Sequence, residues 1–122
     1  EVPPPGHGDT GAAGTIPVAG IERLADGQSV EEIIRDAATW SGKTIAVRGK
    51  VVKFNAGIMG KNWVHLRDGT GGAGTNDLLA TTDATVAVGD IIVVRGVVAT
   101  DRDFGSGYRY AVMVEDATIE KE

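Results

Sequence analysis

A chain of 122 residues with 42% hydrophobic content is one domain, large enough to bury a core without help from disulfides or metal. The absence of cysteine excludes thiol catalysis, thiolate metal ligation and disulfide bonds, and leaves the redox compartment open. A net charge of −5 provides no overall basic field for nucleic acid, and no apolar run is long enough to cross a bilayer as a helix.

Residues 1–20, EVPPPGHGDTGAAGTIPVAG, are rich in Pro, Gly and Ala and are expected to form an extended N-terminal arm, with the folded domain spanning 21–122. An arm of this composition becomes ordered only when its own domain or a neighbouring molecule ties it down. The opening at Glu1, with no methionine, is read as a mature chain whose leader has been removed. Export to a periplasmic or extracellular location is therefore expected. One helix follows. Ser29 and Glu32 make a capping box, and Val30, Ile33, Ile34 and Ala37 fall on one helical face. Trp40 is read as a plug against the end of the core and Gly42 as the helix stop.

Residues 42–69, GKTIAVRGKVVKFNAGIMGKNWVHLRDG, contain two strands. Ile45, Val47 and Val51 alternate with polar or small residues over about 43–54, and Gly49 interrupts the run as a bend. After Gly49 the phase slips, so that Val52 and Phe54 become the large apolar pair. NAGIMGK is expected to be a Gly-rich loop (55–61), and a second strand over 62–67 ends in an Asp-Gly turn. The pattern of 42–51, GKTIAVRGKV, returns at 89–98 as GDIIVVRGVV. Two copies are too few for a solenoid, but two long strands bent at glycine are what a small closed barrel needs. A loop over 68–77, a short strand LLATT, a strand over 91–100, a turn-rich segment 101–108 and a strand over 109–118 complete the set. The expected fold class is all-β: a five-stranded OB-fold barrel with one N-terminal helix and an extended Pro/Gly-rich arm. No helical pattern lies between the third and fourth strands, where many OB domains carry one.

The segments V-R-G-K-V-x-K (47–53), G-I-M-G-K-N-W-V-H-L-R-D-G-T-G (57–71), V-G-D (88–90) and V-x-G-x-V (94–98) resemble small bacterial OB-fold proteins of the nucleic-acid-binding type. These are similar to the anticodon-binding domains of class II tRNA synthetases, and several members are exported or lipid-anchored. The resemblance covers about residues 28–118. It implies the fold, while OB barrels bind oligonucleotides, oligosaccharides, metals and proteins on one scaffold.

Three kinds of binding compete on the residues themselves. Single-stranded nucleic acid needs aromatics for stacking and a basic groove. With Val64 and Leu66 facing inward, Trp63, His65 and Arg67 line the opposite face of the second strand, near Lys50, Lys53, Lys61, Asn62, Arg102 and Tyr108. This is the candidate ligand face. The competing reading is an ordinary solvated surface, and burial of Trp63 would remove the anchor. Copper(I) is the second kind. Met59, Trp63 and His65 fall within seven residues, with Met113 on a distant strand, and thioether plus imidazole is a soft donor set with a tryptophan face as cap. Copper(I)-chaperone OB domains of efflux systems use the same residue types, in another order. Protein–protein assembly through the arm and exposed loops is the third kind, ranked first, ahead of oligonucleotide and then copper. Asp101 and Asp103 lack calcium-loop spacing and are read as turn residues. With His7 and His65 the only histidines, no catalytic set is legible, and the chain is expected not to be an enzyme.

Overall fold

The computed structural model describes residue 18 and residues 21–105 and 109–122. The expected N-terminal arm therefore lies outside the described residues, Val18 excepted, and so does Tyr108. Among the described residues, two short helices, α1 (Val30–Arg35) and α2 (Ala37–Trp40), precede five strands: β1 (Thr44–Ile58), β2 (Lys61–Arg67), β3 (Leu78–Thr82), β4 (Ile91–Asp103) and β5 (Arg109–Lys121). The strands form one sheet that closes on itself as a barrel in the order β1-β2-β3-β5-β4. All neighbours are antiparallel except β3 and β5.

β1 closes the sheet because it serves two partners. Thr44 to Lys50 pair with β4, and Lys50 to Ile58 pair with β2. The handover falls at Gly49, where a Cβ would lie 2.8 Å from Leu66 Cδ1 and 3.1 Å from the Arg67 carbonyl oxygen. Gly96 takes the matching place on β4, opposite the β5 bulge, where a Cβ would lie 2.7 Å from Val114 Cγ1. Both glycines are close approaches of backbone to neighbour. The phase slip after Gly49 is a bulge between Val51 and Lys53, and it buries Val51 together with Val52 instead of exchanging one for the other.

The expected loop at 55–61 is not a loop. β1 runs on to Ile58 and β2 starts at Lys61, leaving a two-residue turn of Met59 and Gly60. Both have positive φ, 53° and 75°, the combination tight hairpins favour because it matches the strand twist. β4 and β5 likewise reach further than the pattern suggested, as a long hairpin pairing out to Asp103 and Arg109.

The interior core joins Ile45, Val47, Val51, Val64, Leu66, Leu78, Ile92 and Val94 with Val30 and Ile33 of α1. The helix is seated by the capping box: Ser29 Oγ accepts the Glu32 N–H at 3.1 Å, and Glu32 Oε1 accepts the Ser29 N–H at 2.9 Å. The helical run breaks at Asp36 instead of continuing through Ala37 as one helix, and Trp40 ends α2, packed against the interior core.

Candidate functional site

Alternation along β2 sends Val64 and Leu66 into the interior and Trp63, His65 and Arg67 to the outer face. That face is not open. A second cluster of Trp63, Leu79, Tyr110 and Met113, with Ile58, Ala99 and Phe104 against it, covers it from outside. The β4–β5 hairpin supplies Ala99, Phe104, Tyr110 and Met113, so every residue of β3 and the middle of β2 is buried on both sides. Trp63 is 0% exposed. Its ring has Phe104 and Tyr110 each 5.5 Å away, and its Nε1 donates to the Ile58 carbonyl at 2.8 Å. The expectation of an exposed Trp63–His65 face is corrected: hydrophobic cover from a distant hairpin has filled it.

His65 is 7% exposed, and its Nδ1 lies 2.5 Å from Asp77 Oδ1. The Asp77 carboxylate can only accept here, so Nδ1–H is the donor, and Nε2 is the second nitrogen of the ring. That Nε2 is buried with no hydrogen-bond partner. Asp77 Oδ2 also accepts Arg67 Nε at 3.1 Å, making a chain His65–Asp77–Arg67 across the β2–β3 junction. Asn62 is structural: its Oδ1 accepts the Gly57 N–H and its Nδ2 donates to the Ala84 carbonyl, each at 3.0 Å.

The cations are dispersed. Lys61 faces Asp116 at 3.5 Å, at the start of β2. Arg102 pairs with Glu115 and lies over the Phe104 ring, on the far hairpin. Lys53 stands opposite His65 on β1, and Lys50 opposite Arg67. The structure therefore brings Lys50, Lys53, His65 and Arg67 to neighbouring strand positions, but not as a groove around an exposed aromatic.

The copper set does not share an open site. Met59 is 42% exposed at the hairpin turn, Met113 is enclosed beside Trp63, and the indole is occupied by Phe104 and Tyr110. Among the described residues, no group of three or more His, Cys, Asp or Glu is placed to hold a metal ion. Asp103 performs the turn chemistry expected of it, accepting the Gly105 N–H at 2.8 Å.

Two acidic residues carry more of this region than the sequence suggested. Asp68 is buried and accepts the Val30 N–H at 2.9 Å and the Thr70 N–H at 3.0 Å. Asp77 holds both His65 and Arg67. A histidine and an arginine two apart on one strand ask for a facing acceptor, but no spacing rule places it ten residues on, beyond a Gly-rich loop. No protein-family model, curated protein or solved structure matches the chain.

Proposed function

We propose that this chain is a non-enzymatic OB-type binding module, an exported assembly component that works through protein–protein contacts. The strand order β1-β2-β3-β5-β4, the parallel β3–β5 closure and a bent β1 shared between two partners support the OB reading. The observation that carries the functional reading is the complete burial of Trp63 under the β4–β5 hairpin. A stacking platform for bases must present its ring, and this one is packed away, so affinity for an oligonucleotide lacks its main contribution. What the surface offers instead is exposed apolar side chains, Met59 at the hairpin turn, Val88 ahead of β4 and Val97 on β4, 42%, 51% and 45% exposed. Met59 also holds a left-handed backbone conformation at its turn, a position unfavourable for a side chain of its size. An exposed, strained apolar tip on an acidic module suits a protein partner better than a polyanion.

Native mass spectrometry on protein from its source tests the reading. Recovery in complex with itself or another polypeptide is the expected result, with affinity that changes little as salt rises. A lone species of 12.6 kDa that gains mass only with a single-stranded oligonucleotide, and loses it steeply with salt, overturns it.

A further inference from the structure

Arg67 is held by one edge only. Its Nε donates to Asp77 Oδ2, while neither Nη nitrogen has a hydrogen-bond partner among the described residues. Yet the side chain is only 16% exposed. A guanidinium has five donors in a fixed fork, and the Nη edge of Arg67 is not among the buried unpartnered atoms, so it stays in reach of solvent and of a ligand. That residue lines a cavity of about 210 Å³, shared with Val18, Gly69, Thr70, Gly71 and Asn76. Gly71 has φ +81°, and a Cβ there would sit 2.3 Å from the Thr75 carbonyl oxygen, so the loop beside the cavity is closely packed on itself at this point. The Asn76 side-chain amide, on the same rim, likewise has no partner among the described residues.

We propose that this cavity is a binding site for a carboxylate group. The idle Nη edge matches a carboxylate in the two-point geometry that distinguishes Arg from Lys, and the Asn76 amide adds a neutral donor. Neighbouring charges choose among oxyanions. Asp77 contacts Arg67, Asp68 contacts Thr70 and Lys50 stands opposite Arg67, so the two cations are matched by two carboxylates and the near-neutral surroundings suit the single charge of a carboxylate better than the double charge of a phosphate. A volume of about 210 Å³ leaves room for a carboxylate with the first atoms of the chain that bears it. The occupant is a chain terminus or acidic side chain of a protein partner, so the inference deepens the assembly reading and rests on it.

The test is an amide-resolved NMR titration of the full chain at constant ionic strength. The probes are acetate, inorganic phosphate, and triglycine with a free or an amidated C-terminus. Acetate and free-acid triglycine are expected to shift the Gly69, Gly71 and Asn76 amides saturably, with Arg67→Gln weakening binding about tenfold or more. Asn76→Leu, which fills the rim and leaves the Arg67–Asp77 pair intact, is expected to abolish it, and this variant decides the matter if Arg67→Gln fails to fold. Tighter binding of the free-acid peptide than of acetate assigns a chain terminus, and equal binding assigns an acidic side chain. No saturable shift, a preference for phosphate, equal binding of the amidated peptide, or binding that survives both substitutions overturns the site. Native mass keeps the two readings apart. A lone chain that binds carboxylate keeps the site and removes assembly, whereas an assembly indifferent to both substitutions keeps assembly and removes the site.

Discussion

The carboxylate of Asp68, at the end of β2, accepts the backbone N–H of Val30 at 2.9 Å, joining the first turn of α1 to a strand 38 residues away. The same side chain accepts the Thr70 N–H and hydroxyl, and Thr70 Oγ1 in turn accepts the Glu31 N–H at 3.1 Å. Two of the helix's unpaired N-terminal donors are thus satisfied from the β2–β3 loop. Asp68→Ala leaves buried donors without acceptors and is expected to cost about 2–4 kcal/mol in urea unfolding, with Asp68→Asn intermediate. A loss below about 0.5 kcal/mol would show that water replaces the carboxylate and that the helix docks by packing alone.

The parallel seam between β3 and β5 is the short one, with register pairs only at Ala80–Val114 and Thr82–Ala117. Threonine hydroxyls complete it. Thr82 Oγ1 donates to the Ala117 carbonyl at 2.8 Å and accepts the Ala84 N–H at 3.1 Å, while Thr81 Oγ1 accepts the Asp116 N–H at 3.0 Å. Thr82→Val keeps the shape and removes both bonds, so a loss of about 1–3 kcal/mol is expected. Hydrogen exchange locates the effect: amides of β3 and β5 should lose protection before those of β1 and β4. Uniform loss across all five strands would mean the seam does not open as a unit.

The strands were legible because their chemistry is local. The short run LLATT matches β3 at its observed bounds, period-two alternation marked the first half of β1, and Gly49 and Gly96 announced the bends that let β1 and β4 wrap. Strand ends were less legible. Asn55 to Ile58 reads as loop by composition, and only a left-handed Met59–Gly60 turn makes it strand. The face of Trp63 was also readable, but not its cover. Alternation says which side of a sheet a residue takes, and nothing local says that Phe104 and Tyr110 will fold over it from the β4–β5 hairpin. The Asp77 contacts were hidden for the same reason, since a Gly-rich loop has no periodicity to fix where its last acid lands.

Burial of Trp63 is directly measurable. With Trp40 replaced by Phe, the remaining indole is expected to emit at short wavelength, to resist acrylamide, and to be unaffected by an added oligothymidine. Trp63→Ala should cost about 3–5 kcal/mol, as the loss of a large side chain from a packed cluster does. Ready quenching, or a spectral change on adding the oligonucleotide, would mean that the hairpin lifts in solution and would restore the nucleic-acid reading.

Acid should loosen the helix before the barrel. The Glu32 carboxyl is held below the ordinary glutamate range, first by the Ser29 backbone N–H, against burial that pushes it up, with help from the Ser29 hydroxyl and from Arg23 and Arg35. A carboxyl with a lowered folded pKa stabilises fully above its unfolded value, and the contribution fades as pH falls from that value through the folded one. Glu32→Gln should therefore lower stability at neutral pH and match the parent at acid pH below both values. Parallel stability profiles for the two proteins across that acid range would rule the capping box out as the source.

Met59 sets stability against function. At φ 53° its Cβ crowds the backbone, and Asn or Gly suits the position better. Met59→Gly is expected to raise the unfolding free energy by about 0.5–1 kcal/mol, offset in part by the greater freedom of glycine in the unfolded chain. If the tip is a contact for a protein partner, the same substitution should reduce recovery of the complex in native mass spectrometry while the barrel becomes more stable. The two readouts moving in opposite directions is the signature of a residue kept for binding. A variant that is both more stable and fully assembled would place the contact elsewhere, with Val88 and Val97 next to be replaced.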